Sequence, residues 1–245
     1  MKIRPTENRR RFIQTMTLGA AMFTTRGLFA QALTQTASMT EGPFYPDRMP
    51  LDTDNDLLII NDSITPAVGE ITQLTGRLLN SSGEPVRNAF VEIWQVDAKA
   101  SYLHSGGRGP AGPDTNFQGY GRFLTGSRGE YYFRTIKPVP YTLGGSFRAP
   151  HIHFAISQNG RRVLTTQVHV RGHEANNRDS LLRGIRDAQL RETVLADFVP
   201  LPGSRIGELT AKFDIVMGRT AQESEEGAIR GGISRPEQRG GRGRR

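Results

Sequence analysis

The chain has 245 residues, no cysteine and a formal net charge of +8. Without cysteine neither a disulfide framework nor a thiolate metal site can form, so any bound metal must take nitrogen and oxygen ligands. The charge sits at the two ends: residues 1–32 hold six basic side chains and one acidic, residues 218–245 hold seven arginines and four glutamates, and residues 33–217 are neutral, which argues against a nucleic-acid-binding body.

In chain order, residues 1–32 have the form of a signal peptide. A basic stretch with Asn8-Arg9-Arg10-Arg11-Phe12 precedes an apolar run to Phe23, and Ala30-Gln31-Ala32 is a small-residue cleavage site. Arg-Arg-x-Phe is of the twin-arginine type and predicts export to the periplasm or the extracellular space. That route resembles one for proteins exported already folded, which favours a cofactor protein. Membrane contact is expected only if the segment stays uncleaved as an anchor. At the other end, "ISRPEQRGGRGRR" has almost nothing apolar to bury, and residues 218–245 are predicted to be disordered.

Residues 33–217 are of single-domain size. Short alternating or apolar runs at 71–79, 89–96, 130–136, 151–157, 163–170 and 208–216 are bounded by turn signals such as Ser82-Gly83-Glu84-Pro85 and Gln158-Asn159-Gly160. They predict an all-β fold, an antiparallel β-sandwich. Only two short helical stretches are expected, at 177–185 and 188–196. The Gly/Pro-rich stretches 97–119 and 137–150 are predicted to be long active-site loops over one end of the sandwich.

The run "RAPHIHFAIS" places His151 and His153 on one face of a strand, with Ile152 and Phe154 on the other. Such a pair reads either as two ligands of one metal ion or as ordinary hydrogen-bonded histidines. Tyr102 and Tyr141 lie in the Gly/Pro loops, where a tyrosine has no core to fill. Of Tyr131 and Tyr132, in a strand, one is expected to face the core; Tyr45 and Tyr120 fit either packing or substrate contact. Two phenolates beside two imidazoles suit Fe(III), with zinc as the competitor.

The sequence resembles the intradiol ring-cleavage dioxygenases, and among them the protocatechuate 3,4-dioxygenases. The resemblance is carried by "TEGPFYP" at 40–46, "LTGRLLNSSGEPVRNAFVEIWQVDAKASYLH", "NFQGYGRFLTGSRGEYYFRTIKPVPY", "RAPHIHF" and "TTQVHV". It implies a ferric ion held by Tyr102, Tyr141, His151 and His153. It further implies that Arg148 stabilises carbanion-like charge on the substrate ring, that Gln167 lies near the reacting oxygen, and that Tyr141 leaves the metal when a catechol arrives and takes up a proton. The implied reaction joins a catechol and O2 to give a cis,cis-muconate-type diacid. A homo-oligomer is compatible with the resemblance, with "TEGPFYP" reaching a neighbouring site. Thr142-Leu143 stands where protocatechuate dioxygenases carry Pro-Trp, and the loop from Tyr141 to His151 is shorter than theirs. Two alternatives come from other classes: an exported non-enzymatic β-sandwich binding module, and a zinc-dependent hydrolase using the His-x-His pair.

Overall fold

The computed structural model describes residues 33–50, 52–60 and 65–218, with the backbone at 222–223 and 229–230. The signal peptide expected at 1–32 lies outside the described residues, as does most of the expected tail. Within the tail, Gln222–Glu223 pairs antiparallel with Ile229–Arg230. Among the described residues no helix is long and apolar enough to cross a membrane.

Two sheets form the body. In the first, β1 (Ile71–Leu79) lies between β4 (Glu130–Ile136), antiparallel to it, and β11 (Leu209–Lys212) with β12 (Ile215–Val216), both parallel to it; β10 (Phe198–Pro200) flanks β11. The second has the order β3 (Tyr120–Leu124), β2 (Phe90–Trp94), β7 (His151–Gln158), β8 (Arg161–Val170), β9 (Leu195–Ala196). Its pairs are antiparallel except β8 with β9. The expected sandwich is present, with mixed rather than purely antiparallel sheets. The long excursion before β11 lets that strand enter beside β1 in the parallel sense, as a tight turn could not.

Alternation builds the core between the layers. Leu74 and Leu78 of β1 and Phe133 of β4 meet Val91 and Ile93 of β2 and Ile152, Phe154 and Ile156 of β7 in one buried cluster. Each such side chain contributes about 1.5–3 kcal/mol by leaving water. Phe154 bridges the layers, 5.9 Å from the Tyr131 ring and 5.1 Å from that of Phe213. Tyr131 is the core-facing member of its pair, its hydroxyl donating to the Phe213 carbonyl, whereas Tyr132 is half-buried against Gln73.

The other face of the second sheet is covered too, which is why β7 stays buried on both sides from His151 to Ile156. One cover is the stretch from Thr36 to Tyr45, tied down by bonds such as Met39 N–H to the Thr165 carbonyl (2.9 Å). Another is the 171–194 segment with its helices Ser180–Gly184 and Ala188–Glu192. Each helix begins after an aspartate, Asp179 or Asp187, whose side chain accepts two free amides of the first turn. The second is shorter than expected because Leu195–Ala196 leaves it to pair with β8.

The predicted 137–150 loop is partly ordered as a hairpin, β5 (Tyr141–Leu143) with β6 (Ser146–Arg148). Its two-residue turn is Gly144-Gly145, at φ +57° and +77°, the left-handed pair such a turn demands and glycine supplies without strain.

Candidate functional site

Register places the site. Trp94, His153 and Gln167 are opposite one another on β2, β7 and β8, and His151 is opposite His169. All lie on the outer face, where the strands end together. Tyr102 arrives from the loop after β2, and Tyr141 from the hairpin. Of the sequence-predicted residues, Tyr102, Tyr141, His151 and His153 come together in one buried group.

Four donor atoms converge. The Tyr102 hydroxyl lies 3.0 Å from the Tyr141 hydroxyl, 3.0 Å from His153 Nε2 and 3.5 Å from His151 Nε2, and the two Nε2 atoms are 3.1 Å apart. His151 Nδ1 lies 2.6 Å from the Ala149 carbonyl. A carbonyl only accepts, so Nδ1 carries the proton and Nε2 is left bare toward the cluster. The His153 ring stacks on Trp94, centroids 4.7 Å apart and planes 9° from parallel.

Burial, with His153 and Arg148 nearby, holds His151 well below the ordinary imidazole range. Burial together with Arg148 and His169 does the same to His153. Both rings are therefore neutral donors at pH 7. Burial and the neighbouring phenol push Tyr102 well above its usual value. Tyr141 is raised by burial against the opposing effects of the Tyr102 hydrogen bond and Arg148. Four donors share one small volume, two of them phenols that ionise only if strong positive charge is placed among them. That set fits a ferric ion, for which phenolate oxygen and imidazole nitrogen are apt ligands.

Arg148 and Gln167 stand beside this group. Arg148 Nη2 donates to Gln167 Oε1 at 2.5 Å, and Gln167 Nε2 donates to the Thr40 carbonyl at 2.9 Å. Behind them His151, His169 and Asp179 form a second set of potential metal-binding groups. Asp179 is an unsuitable ligand: each of its oxygens already accepts two hydrogen bonds, from Leu181 and Leu182 amides on one side and from Arg148 and the Ala149 amide on the other.

Sequence reasoning missed Asp179 and Glu92. Glu92 is buried on the outer face of β2 and accepts from the hydroxyls of Tyr45 (2.9 Å) and Tyr120 (2.5 Å) while paired with Arg162 (3.1 Å). Those two tyrosines are thus packing and hydrogen-bonding residues. An acid inside the apolar run "FVEIW" was the available signal; Asp179 gave none beyond that of a helix cap. A cleft of about 340 Å³ beside Pro50, Asp52 and Ile60 touches Tyr102 but none of the other three donor residues. Convergence of polar atoms, not cavity size, marks the site.

The dioxygenase protein-family profile matches residues 40–217. The chain is 37% identical over 164 residues to the protocatechuate 3,4-dioxygenase beta chain of Burkholderia cepacia, covering 64% of this chain and 69% of that one. It is 27% identical over 203 residues to hydroxyquinol 1,2-dioxygenase of Rhodococcus opacus, covering 74% of this chain and 63% of that relative. Among solved structures it superposes on the dioxygenase domain of a dioxygenase carbohydrate-binding protein fusion from Streptomyces sp. SirexAA-E. The TM-score is 0.55 and the identity 24%, over 75% of this chain and 98% of that one, a likeness of fold.

Proposed function

The chain belongs to the intradiol ring-cleaving dioxygenases, and we propose that it cleaves a catechol-type ring between its two hydroxyl-bearing carbons. Both atoms of O2 enter the product, a cis,cis-muconate-type diacid. The observation that carries this reading is the convergence on the Tyr102 hydroxyl of the Tyr141 hydroxyl and the Nε2 atoms of His151 and His153, at 3.0–3.5 Å, with the two Nε2 atoms 3.1 Å apart. These four residues would hold a ferric ion. When bound, that ion supplies Lewis-acid activation of the chelated catechol.

The protein's own groups divide the remaining work. His151 and His153, kept neutral by burial, need lose no proton to act as ligands. The Tyr102 hydroxyl lies within hydrogen-bonding distance of the other three donor atoms and would be the fixed phenolate; the Tyr141 hydroxyl has only that of Tyr102 within such a distance, so Tyr141 would be the one to give way to substrate and accept its proton. Arg148, held between Asp179 and Gln167, presents fixed positive charge beside the centre and stabilises negative charge as it develops on the ring. Neither a zinc hydrolase nor a non-enzymatic module calls for two buried phenols in contact with two buried imidazoles.

The test is direct. The purified chain should take up about one ferric ion, show a visible phenolate-to-iron band, and cleave one or more of catechol, protocatechuate, hydroxyquinol and chlorocatechols to products identified by ultraviolet spectra. An iron-loaded chain that cleaves none of them, or a site that takes up no ferric ion, would overturn the reading. The same proposal has residues 1–32 directing export; replacing Arg9, Arg10 and Arg11 by Lys should leave iron-binding precursor in the cytoplasm, and unchanged export would remove that part.

A further inference from the structure

Asp179 lies at the start of a five-residue helix, 31 residues from Arg148, and is fully buried. Its Oδ1 accepts from the Leu181 and Leu182 amides, both at 3.0 Å. That half is an ordinary N-cap. Its Oδ2 does something unrelated to the helix: it accepts from Arg148 Nε and from the Ala149 amide, both at 2.9 Å.

Each of those bonds continues into the centre. The guanidinium is planar, and with Nε on Asp179 and Nη2 on Gln167 its plane is fixed at two points. Ala149 is held by its amide on Asp179 and restricted to extended backbone by Pro150 behind it. Its carbonyl is therefore fixed where it accepts the His151 Nδ1 proton. The carboxylate is well suited to this load. Burial works to raise its pKa, but the Leu182 amide, Arg148 and the Ala149 amide outweigh that and hold it below the ordinary range.

We propose that Asp179 is the positioning residue of the centre: one oxygen orients Arg148 and, through the backbone of Ala149, sets the tautomer and ring orientation of His151. The inference rests on the dioxygenase reading for what the oriented groups do. Asparagine in its place keeps the shape but must set an NH2 against either the two donors on the Arg148 side or the two helix amides.

Asp179→Asn should lower kcat about 100-fold, the scale of a small misplacement of reacting groups, while KM changes less than about threefold. In the 15N-labelled full chain without added metal, His151 should lose its single Nδ1–H tautomer and show a mixed pattern. Asp187→Asn is the control, since Asp187 caps the next helix through the Gln189 and Leu190 amides with no link to Arg148. It should move neither readout. Where Asp179→Asn does not fold, Asp179→Ser takes its place, keeping a cap for the helix but offering Arg148 no carboxylate. If the Asp179 variant loses only melting temperature, by about what the control loses, with kcat and the His151 nitrogens as in the wild type, Asp179 is a helix cap and nothing more. The nitrogen pattern is read without iron or substrate, so a chain that cleaves no catechol would refute the functional reading and leave this inference to be decided by that pattern.

Discussion

Tyr141 and Arg148 face each other as the cross-strand pair at the open end of a hairpin of two three-residue strands. The phenol read as the leaving ligand and the guanidinium read as the charge stabiliser thus ride on one small element. An isolated two-stranded hairpin is marginal in water, so its turn matters. Gly145→Val puts a β-branched side chain at φ +77°, which costs about 1–2 kcal/mol or more. Turnover should fall at least tenfold and the visible band should weaken, with a small change in melting temperature. Wild-type turnover in this variant would mean that contacts outside the turn hold the pair.

The donor contacts predict an order of iron loss. The Tyr102 hydroxyl lies within hydrogen-bonding distance of three other donor atoms and that of Tyr141 of one. Tyr141→Phe should keep most of the iron and much of the colour but slow substrate binding. Tyr102→Phe should lose more of both, and His151→Ala or His153→Ala should lose iron or bind it loosely. Iron content and the visible spectrum of the four purified variants check the order; full iron and full catechol cleavage in both histidine variants would refute the assignment.

Much of this was legible in the residues, and the gaps have physical causes. The strands β1, β4 and β7 announce themselves by alternation, and His-x-His announces its face because the strand period is two. "YTL" and "SFR" are too short to show a period, so the hairpin between them read as loop. Alternation also says which face a side chain takes but not which way a neighbouring strand runs, so the parallel entry of β11 and β12 beside β1 was invisible. Asp179 read only as part of a helical stretch because its partners, Arg148 and Ala149, lie about thirty residues earlier in the chain.

Three buried histidines predict how stability depends on pH. His151, His153 and His169 all have folded pKa values depressed from 6.5, burial being the first cause in each. Below pH 6.5 the unfolded chain therefore binds protons that the folded chain refuses. Stability is full above about pH 6.5 and falls as the pH drops toward the depressed folded values, by up to about 1.4 kcal/mol per pH unit for each ring. Urea midpoints of the full chain without added metal, taken from pH 7.5 to 5, should show this fall. His169→Gln should remove about a third of the slope. A flat profile would mean that the three rings accept protons while folded.

The stretch Glu41–Tyr45 is fastened across the centre by a charge network, and the single tryptophan reports on it. Arg162 pairs with both Glu41 and Glu92, and Tyr45 donates to Glu92. Phe44 stacks on Tyr102 at 5.1 Å, while Tyr45 meets Trp94 edge-on at 5.0 Å. Glu92→Gln removes the charge facing Arg162 and offers one weaker acceptor to two phenols. Arg162 keeps Glu41 and is partly exposed, so the cost should lie near the lower end for a broken hydrogen-bonded charge, about 1–3 kcal/mol. Because Tyr45 is held against the indole, loosening the stretch should shift Trp94 fluorescence. Because Phe44 packs on Tyr102, KM for the catechol should rise several-fold, with iron content retained. A variant that loses stability while Trp94 emission and KM stay at wild-type values would show the network to be a staple of the fold with no hold on the site.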